Sequence, residues 1–301
     1  MTRKKSVKFT VGICAYNEAD NIGRLLKTFL NQDLPKKFIL DEIIVVASGC
    51  VDDTVRIVKK YEKKDSRVKL FQQTKRRGKA SAINLMLKKA KNKIIVQSSA
   101  DVLPDKKALF YLLPNILKPK VALVGPRIVP KNDLDTFMGF AVHLSWKLHD
   151  RISLQFPERP KVGELIVYKK VFERIPAKAV VDEASVEPLI YLQGYRSVYC
   201  PQAVVYNFGS TKIRDFLSQR RRNFAGHYAN KKKYGYSVVT LSNFRVLGVF
   251  LANMDWNLKF MVFSLGTALM EMVARLAGWL DVQLKLRDHS IWKVAQSSKK
   301  I

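Results

Sequence analysis

Residues 7–30 read VKFTVGICAYNEADNIGRLLKTFL. Val7, Phe9, Val11 and Ile13 alternate with Lys8, Thr10 and Gly12, the two-residue period of a strand. Ile22, Leu25, Leu26, Phe29 and Leu30 follow at helical spacing. The same strand–turn–helix pattern recurs to about residue 125. Ile43-Ile44-Val45-Val46 is a continuous apolar run, as in a strand buried on both faces. Asp53-Thr54 opens a helix through about Tyr61, and Val68 and Leu70 suggest another strand. Ala80, Ile83, Leu87 and Ala90 form a helical stripe, and Ile94-Ile95-Val96 reads as a strand ending at Ser98-Ser99-Ala100-Asp101. Pro104 suits the first turn of a following helix, and Val121 to Val124 is again strand-like. Such alternation predicts an α/β fold with a mostly parallel sheet, flanking helices and ligands at the carboxyl edge of the strands.

Beyond residue 125 the pattern loosens. Leu134, Phe137, Met138, Ala141, Leu144 and Leu148 form a helical stripe. Glu164 to Tyr168 and Val198 to Tyr206 look like strands, and Ile213, Phe216, Leu217 and Phe224 line a helix that also carries Arg220, Arg221 and Arg222. The tail from about 240 has a broad apolar face (Leu258, Met261, Val262, Leu265, Leu269, Met272, Val273, Leu276, Leu280) and a narrow polar stripe (Ser264, Thr267, Glu271, Arg275). Its longest uncharged run, Phe260 to Met270, has 11 residues, short of the roughly 20 of a clean membrane span. A Glu271–Arg275 pair at i,i+4 facing protein would relax that limit. The cations after the helix (Lys285, Arg287, Lys293, Lys299, Lys300) favour an in-plane amphipathic helix or a re-entrant hairpin over a single span. The competing reading is a core helix that closes the domain.

The chain has 301 residues, 48% of them hydrophobic, which excludes global disorder. Its 54 Lys+Arg against 25 Asp+Glu give a formal charge of +29, a surface that attracts phosphates, nucleic acid or acidic headgroups. Cys14, Cys50 and Cys200 are too few and too scattered for a disulfide scaffold or a zinc site, and fit a reducing compartment. The basic start is followed by an apolar stretch too short for a signal peptide, and no cleavage site is present.

Several residues have the chemistry of a site. Asp101, at the end of a buried strand, could ligate Mg2+ or Mn2+ beside a phosphate ligand, or simply hold a turn. Lys75-Arg76-Arg77-Gly78-Lys79 puts cations around a glycine where a helix begins; Gln73 in place of Gly excludes a Walker A loop. Asp182-Glu183 suits either a general base or a helix N-terminus. Gln219-Arg220-Arg221-Arg222-Asn223 suits a diphosphate clamp or an anionic membrane surface. His143, His149, His227 and His289 show no ligand spacing, and there is no Ser-His-Asp arrangement.

In order and spacing these segments resemble family 2 glycosyltransferases of the GT-A fold, from about residue 7 to residue 230. Residues 11–18 resemble the opening strand and "PAYNE" turn, residues 44–54 the "VVDSGSTDGT" segment, and residues 78–84 the "GKAxALN" segment. Ser99-Ala100-Asp101 stands where the family has "DAD", Asp182-Glu183 where it has "ED", and Gln219 to Asn223 where processive members have "QxxRW". The resemblance implies a Rossmann-like GT-A sheet with a C-terminal amphipathic helical segment. It also implies inverting transfer of a sugar from a nucleoside diphosphate. Carried over by position, Ala15, Tyr16, Glu18, Ser48 and Asp52 would border the nucleotide, with Asn84 in the same group. Lys79 would approach the diphosphate and Asp101 the Mg2+ or Mn2+. Glu183, with Asp182 as the alternative, would take the acceptor proton. Gln219, Arg221 and Arg222 would sit near the leaving diphosphate or an acceptor phosphate. Ala47 replaces the Asp that usually reads the base, Ser99 thins the metal motif, and Asn223 replaces a Trp associated with holding a growing polymer, which favours single transfers.

The expected organisation is a nucleotide-sugar-binding half at 1–125, an acceptor half with the base at 126–235, and a membrane-associated helical tail at 236–301. The expected partners are a nucleoside diphosphate sugar, a lipid-linked or membrane-held acceptor and an anionic membrane surface, at the cytoplasmic face. No nucleic acid is expected, since no binding module is recognisable. A nucleic-acid-binding or catalytically degenerate protein is the alternative.

Overall fold

The computed structural model describes residues 6–177, 179, 182–254 and 256–287, without the side chains of Asp182 and Glu183. Eight strands form one sheet: β1 (Val7–Ala15), β2 (Phe38–Ser48), β3 (Val68–Gln73), β4 (Ile94–Ser99), β5 (Val102–Pro104), β6 (Val121–Pro130), β7 (Leu165–Lys169) and β8 (Arg196–Asn207), in the order β3-β2-β1-β4-β7-β6-β8-β5. β3, β2, β1 and β4 run parallel, and β6 is parallel to β8. β7 lies antiparallel between β4 and β6, and β5 antiparallel on the β8 edge. The 1–125 and 126–235 segments therefore share one sheet.

Ile43 to Val46 are fully buried, with alternate side chains entering opposite layers. Phe9, Val11, Ile43, Val45 and Val96 pack with α1 (Ala19–Leu30), α2 (Thr54–Lys64) and α4 (Ala108–Asn115). Ile44, Val46, Ile95 and Tyr168 pack with α3 (Lys79–Lys89) and α6 (Asp182–Tyr191). Pro104 departs from the sequence reading. It ends β5 opposite Val205, and the helix begins only at Ala108. An edge strand tolerates a residue without an N–H. Leu134 likewise precedes its helix: α5 (Phe137–Gln155) starts after Thr136, whose Oγ1 accepts from Gly139 N.

The C-terminal part is helical: α7 (Ile213–Tyr234), α8 (Asn243–Ala252) and α9 (Leu258–Gln283). α9 is inverted relative to a soluble core helix. Ser264, Thr267, Ala274, Gly278 and Asp281 are buried, whereas Leu265, Leu269, Met272 and Leu276 are each nearly 60% exposed. Small residues allow the close approach: a Cβ on Gly278 would come within 2.6 Å of Arg221 O on α7. Phe260 stacks on Phe140 of α5, and Phe263 meets Phe137 edge-on. Residues 288–301, including Lys293, Lys299 and Lys300, lie outside the described residues.

Candidate active site

Parallel pairing brings the carboxyl ends of β1, β2 and β4 together, and the loops leaving them are tied to one another. Glu18 N donates to Thr54 Oγ1 (2.7 Å) and Ala19 N to Asp52 Oδ2 (3.0 Å). Thr54 N and Oγ1 both donate to Asp52 Oδ1. One carboxylate thus satisfies N–H groups at the starts of both α1 and α2, where a helix leaves them without internal partners. Asn17 holds a left-handed conformation (φ 52°), which Asn tolerates better than most residues. Its Oδ1 accepts from Val51 N, and its own N–H donates to Cys50 Sγ. Glu18 is buried and accepts from Asn21 Nδ2. Glu18 and Asp52 therefore brace the backbone at the carboxyl ends of β1 and β2, where Ala15 is buried.

The loop before α3 packs against the loop after β2. Gly49 has φ 68°, and a Cβ there would meet Arg76 N at 2.5 Å, so glycine is needed both for conformation and for space. Arg76 lies over the ring of Tyr16, 4.2 Å from its centroid. Ser48 Oγ donates to Gln73 Oε1, and Gln73 Nε2 to Ser81 Oγ, a relay that joins β2, β3 and α3. Lys79, the first residue of α3, directs Nζ at Ser99 Oγ (3.3 Å). Asp101 stands in the turn between β4 and β5. Among the described residues no three His, Cys, Asp or Glu are placed to hold a metal together. A lone carboxylate still fits a hard cation that takes its other ligands from diphosphate and water.

The remaining expected site residues have other surroundings. Asn84 pairs with Ile175: its Nδ2 donates to Ile175 O (3.0 Å) and its Oδ1 accepts from Ile175 N (2.8 Å). This in-plane amide pair clamps the segment that leads to α6. Asp182 and Glu183 open α6, and their side chains lie outside the described residues. Gln219, Arg221 and Arg222 lie on α7. Arg221 turns to α9, where its Nε and Nη2 both donate to Asp281. Arg220 makes the same fork to Glu271 (2.6 and 2.9 Å), which also accepts from Arg275 Nε (2.9 Å). Burial would raise the Glu271 carboxyl, but the two guanidiniums hold it at about 2. Beside this network burial pushes Lys161 down to about 8, with Arg220 adding to the effect. Burial, then Lys161 and Arg220, keep His149 and His227 well below 6.5. Sequence reasoning placed Arg76 among cations suited to an anion and paired Glu271 with Arg275; it missed the contact of Arg76 with Tyr16, the hold of Asn17 on Val51, and the pairing of Arg220 and Arg221 with Glu271 and Asp281. The available signal for the last was that Glu271 and Asp281 are the two carboxylates in the apolar stretch 258–283, where a charge calls for a partner.

Residues 10–180 match the family model described as glycosyl transferase family 2. The chain belongs to glycosyl transferase family 2. A poly-beta-1,6-N-acetyl-D-glucosamine synthase of Staphylococcus epidermidis is 31% identical over 125 residues, 40% of this chain and 29% of that protein. The protein of the same name from Staphylococcus aureus (strain MSSA476) is 26% identical over 224 residues, 70% of this chain and 52% of that protein. The chain thus spans about half or less of the length of these relatives. A mannosyltransferase from Pyrobaculum calidifontis, PcManGT, solved with GDP-Man and Mn2+, has a TM-score of 0.66 at 22% identity and covers 93% of this chain and 88% of its own. The shared architecture is the GT-A fold of this glycosyltransferase family.

Proposed function

We propose that this family 2 glycosyltransferase moves one sugar, with inversion, from a nucleoside diphosphate sugar to an acceptor held at a membrane surface. The observation that carries the reading is the set of tied loops at the carboxyl ends of β1, β2 and β4, which holds Arg76 over Tyr16 and Lys79 against Ser99, two residues before Asp101. Glu183 takes the proton of the acceptor hydroxyl, with Asp182 as the alternative base. The acceptor oxygen forms its bond to the anomeric carbon as the bond to the diphosphate oxygen breaks, and the diphosphate leaves with the electron pair. Lys79 meets the developing charge. Asp101, with Ser99 beside it, would hold Mg2+ or Mn2+, which neutralises diphosphate when bound. The Mn2+ in the mannosyltransferase supports a divalent ion here.

The membrane part rests on α9, the one helix among the described residues long and apolar enough to cross a bilayer. Its protein contacts run from Phe260 to Gln283, about 35 Å along the axis. A helix laid on the domain over its full length presents its apolar face parallel to a bilayer, which favours an in-plane helix over a span. Exposed Phe244, Leu247 and Leu251 on α8, and Trp256 after it, add further apolar surface. The +29 charge favours the anionic cytoplasmic leaflet.

The first experiment is a thermal-shift panel of UDP-N-acetylglucosamine, GDP-mannose and the bare nucleotides, each with Mn2+ and with EDTA. The relatives' names and the solved neighbour make these two donors the first to test. The expected result is stabilisation by one diphosphate family that shrinks in EDTA; no shift with any nucleotide overturns the proposal. Glu183→Gln should keep the shift and lose transfer, whereas loss with Asp182→Asn alone moves the base by one residue.

A further inference from the structure

Helix α6 starts at the carboxylate pair and contains a proline in its interior. Pro188 has no N–H, so the helical bond that would run from residue 188 to Ala184 O cannot form. Ala184 follows Glu183 directly and is 2% exposed. A buried carbonyl stripped of its donor is unfavourable unless another donor reaches it. Here that donor is Asn230, on α7, whose Nδ2 reaches Ala184 O at 2.6 Å. The proline ring also pushes the i−4 carbonyl off the helix axis, which opens it to a neighbouring helix.

We infer that Asn230 is a positioning residue: it supplies the hydrogen bond that Pro188 removes and so fixes the first turn of α6, with Asp182 and Glu183, against α7. This rests on the proposed role of that pair. The clamp has a counterpart on the other side. Asn84 holds Ile175 at the near end of the segment leading to the pair, so side-chain amides from α3 and α7 bracket residues 175–184. α3 begins with Lys79 at the donor crevice, and α7 is tied to α9 through Arg221–Asp281 and Lys232–Gln283. The carboxylate pair is thereby strung between the donor-binding helix and the helix that carries α9.

The test is a double-mutant cycle on the full chain, read in two ways. Transfer is followed with whichever of UDP-N-acetylglucosamine or GDP-mannose stabilises the wild-type chain. Asn230→Ala should lower kcat by roughly two- to tenfold, the range for loss of one neutral hydrogen bond, with donor KM unchanged. Pro188→Ala restores a helical N–H to Ala184 O. In that background Asn230→Ala should therefore change kcat by less than about twofold. Amide exchange of residues 185–190 should accelerate in Asn230→Ala and return towards wild type in the double variant, a readout that needs no turnover. An equal loss of kcat with or without Pro188→Ala, a change in donor KM instead of kcat, or unaltered exchange would overturn the inference. Glu183→Gln separates the two ideas: if it stays active the proposed base is wrong, and if it is inactive while Asn230→Ala behaves as wild type, only the clamp is wrong.

Discussion

Replacing Glu271 by Gln keeps the shape of the side chain and removes the charge on which two guanidiniums converge. The carboxylate is 22% exposed and accepts from Arg220 Nε and Nη2 and from Arg275 Nε at 2.6–2.9 Å. Removing one partner of a buried ion pair destabilises by about 3–5 kcal/mol, because the remaining charge stays buried without compensation. The carboxyl group gives the same scale: held at about 2 instead of 4.5, it contributes ~3 kcal/mol. A lowered carboxylate contributes fully above its unfolded value, so the effect is complete at pH 7 and fades as pH falls through 4.5 towards 2. Glu271→Gln should therefore lower Tm at pH 7 by roughly 6–12 °C, read by far-UV circular dichroism in detergent micelles. Replacing Arg220, Glu271 and Arg275 together with Met, Leu and Leu should recover part of the loss, since the three charges leave together and only Lys161 stays beside them. A Glu271→Gln shift below about 2 °C would refute the reasoning.

Asp101→Asn should leave the fold intact and remove most of the Mn2+-dependent part of nucleoside diphosphate stabilisation; an unchanged difference between Mn2+ and EDTA would exclude Asp101 as a ligand. Leu265→Ser with Leu269→Ser, on the exposed face of α9, should cut partition onto anionic vesicles by roughly 10–100-fold. Unaltered vesicle sedimentation would place lipid contact elsewhere. His149 and His227 are held neutral in the fold, first by burial and then by Lys161 and Arg220. The unfolded chain alone gains their protons as pH falls below 6.5, so stability should decline there by up to ~1.4 kcal/mol per pH unit per histidine. His149→Phe with His227→Leu should flatten that decline in urea titrations, and an unchanged slope would show that the two rings do not resist protonation.

The parallel half of the sheet was legible because both signals it uses are local: a two-residue period at Val7 to Ile13 and a doubly buried run at Ile43 to Val46. The antiparallel insertion of β7 between β4 and β6 was not, because a strand's neighbours depend on contacts far away in sequence. Pro104 illustrates the limit. Helix N1 and an edge strand both accept a residue lacking its N–H, and only the partner strand, Val205 to Asn207, decides between them. At the site, the motif order suggested ligands for Asn84 and Arg221, and the structure adds their partners within the chain, Ile175 and Asp281. An amide or guanidinium suits either partner, and the residue type does not reveal which it meets. The α9 pattern was readable as amphipathic; that its polar stripe faces protein follows from Arg220 and Arg221, fifty and sixty residues earlier.

The place of β5 at the far edge of the sheet bears on how the chain matures. Asp101 is translated early, but the strand that anchors its turn pairs only with Val205 to Asn207. At ~5–20 residues per second, a ribosome needs roughly 5–20 s to make the intervening segment. During that interval the loops around Asp52 and Lys79 have their partners within the first hundred residues, whereas the Asp101 turn lacks its outer strand. Sequence-distant closure of this kind is slow to nucleate. The acidic turn is thus completed late in biogenesis, well after the loops around Asp52 and Lys79 that precede it in the sequence.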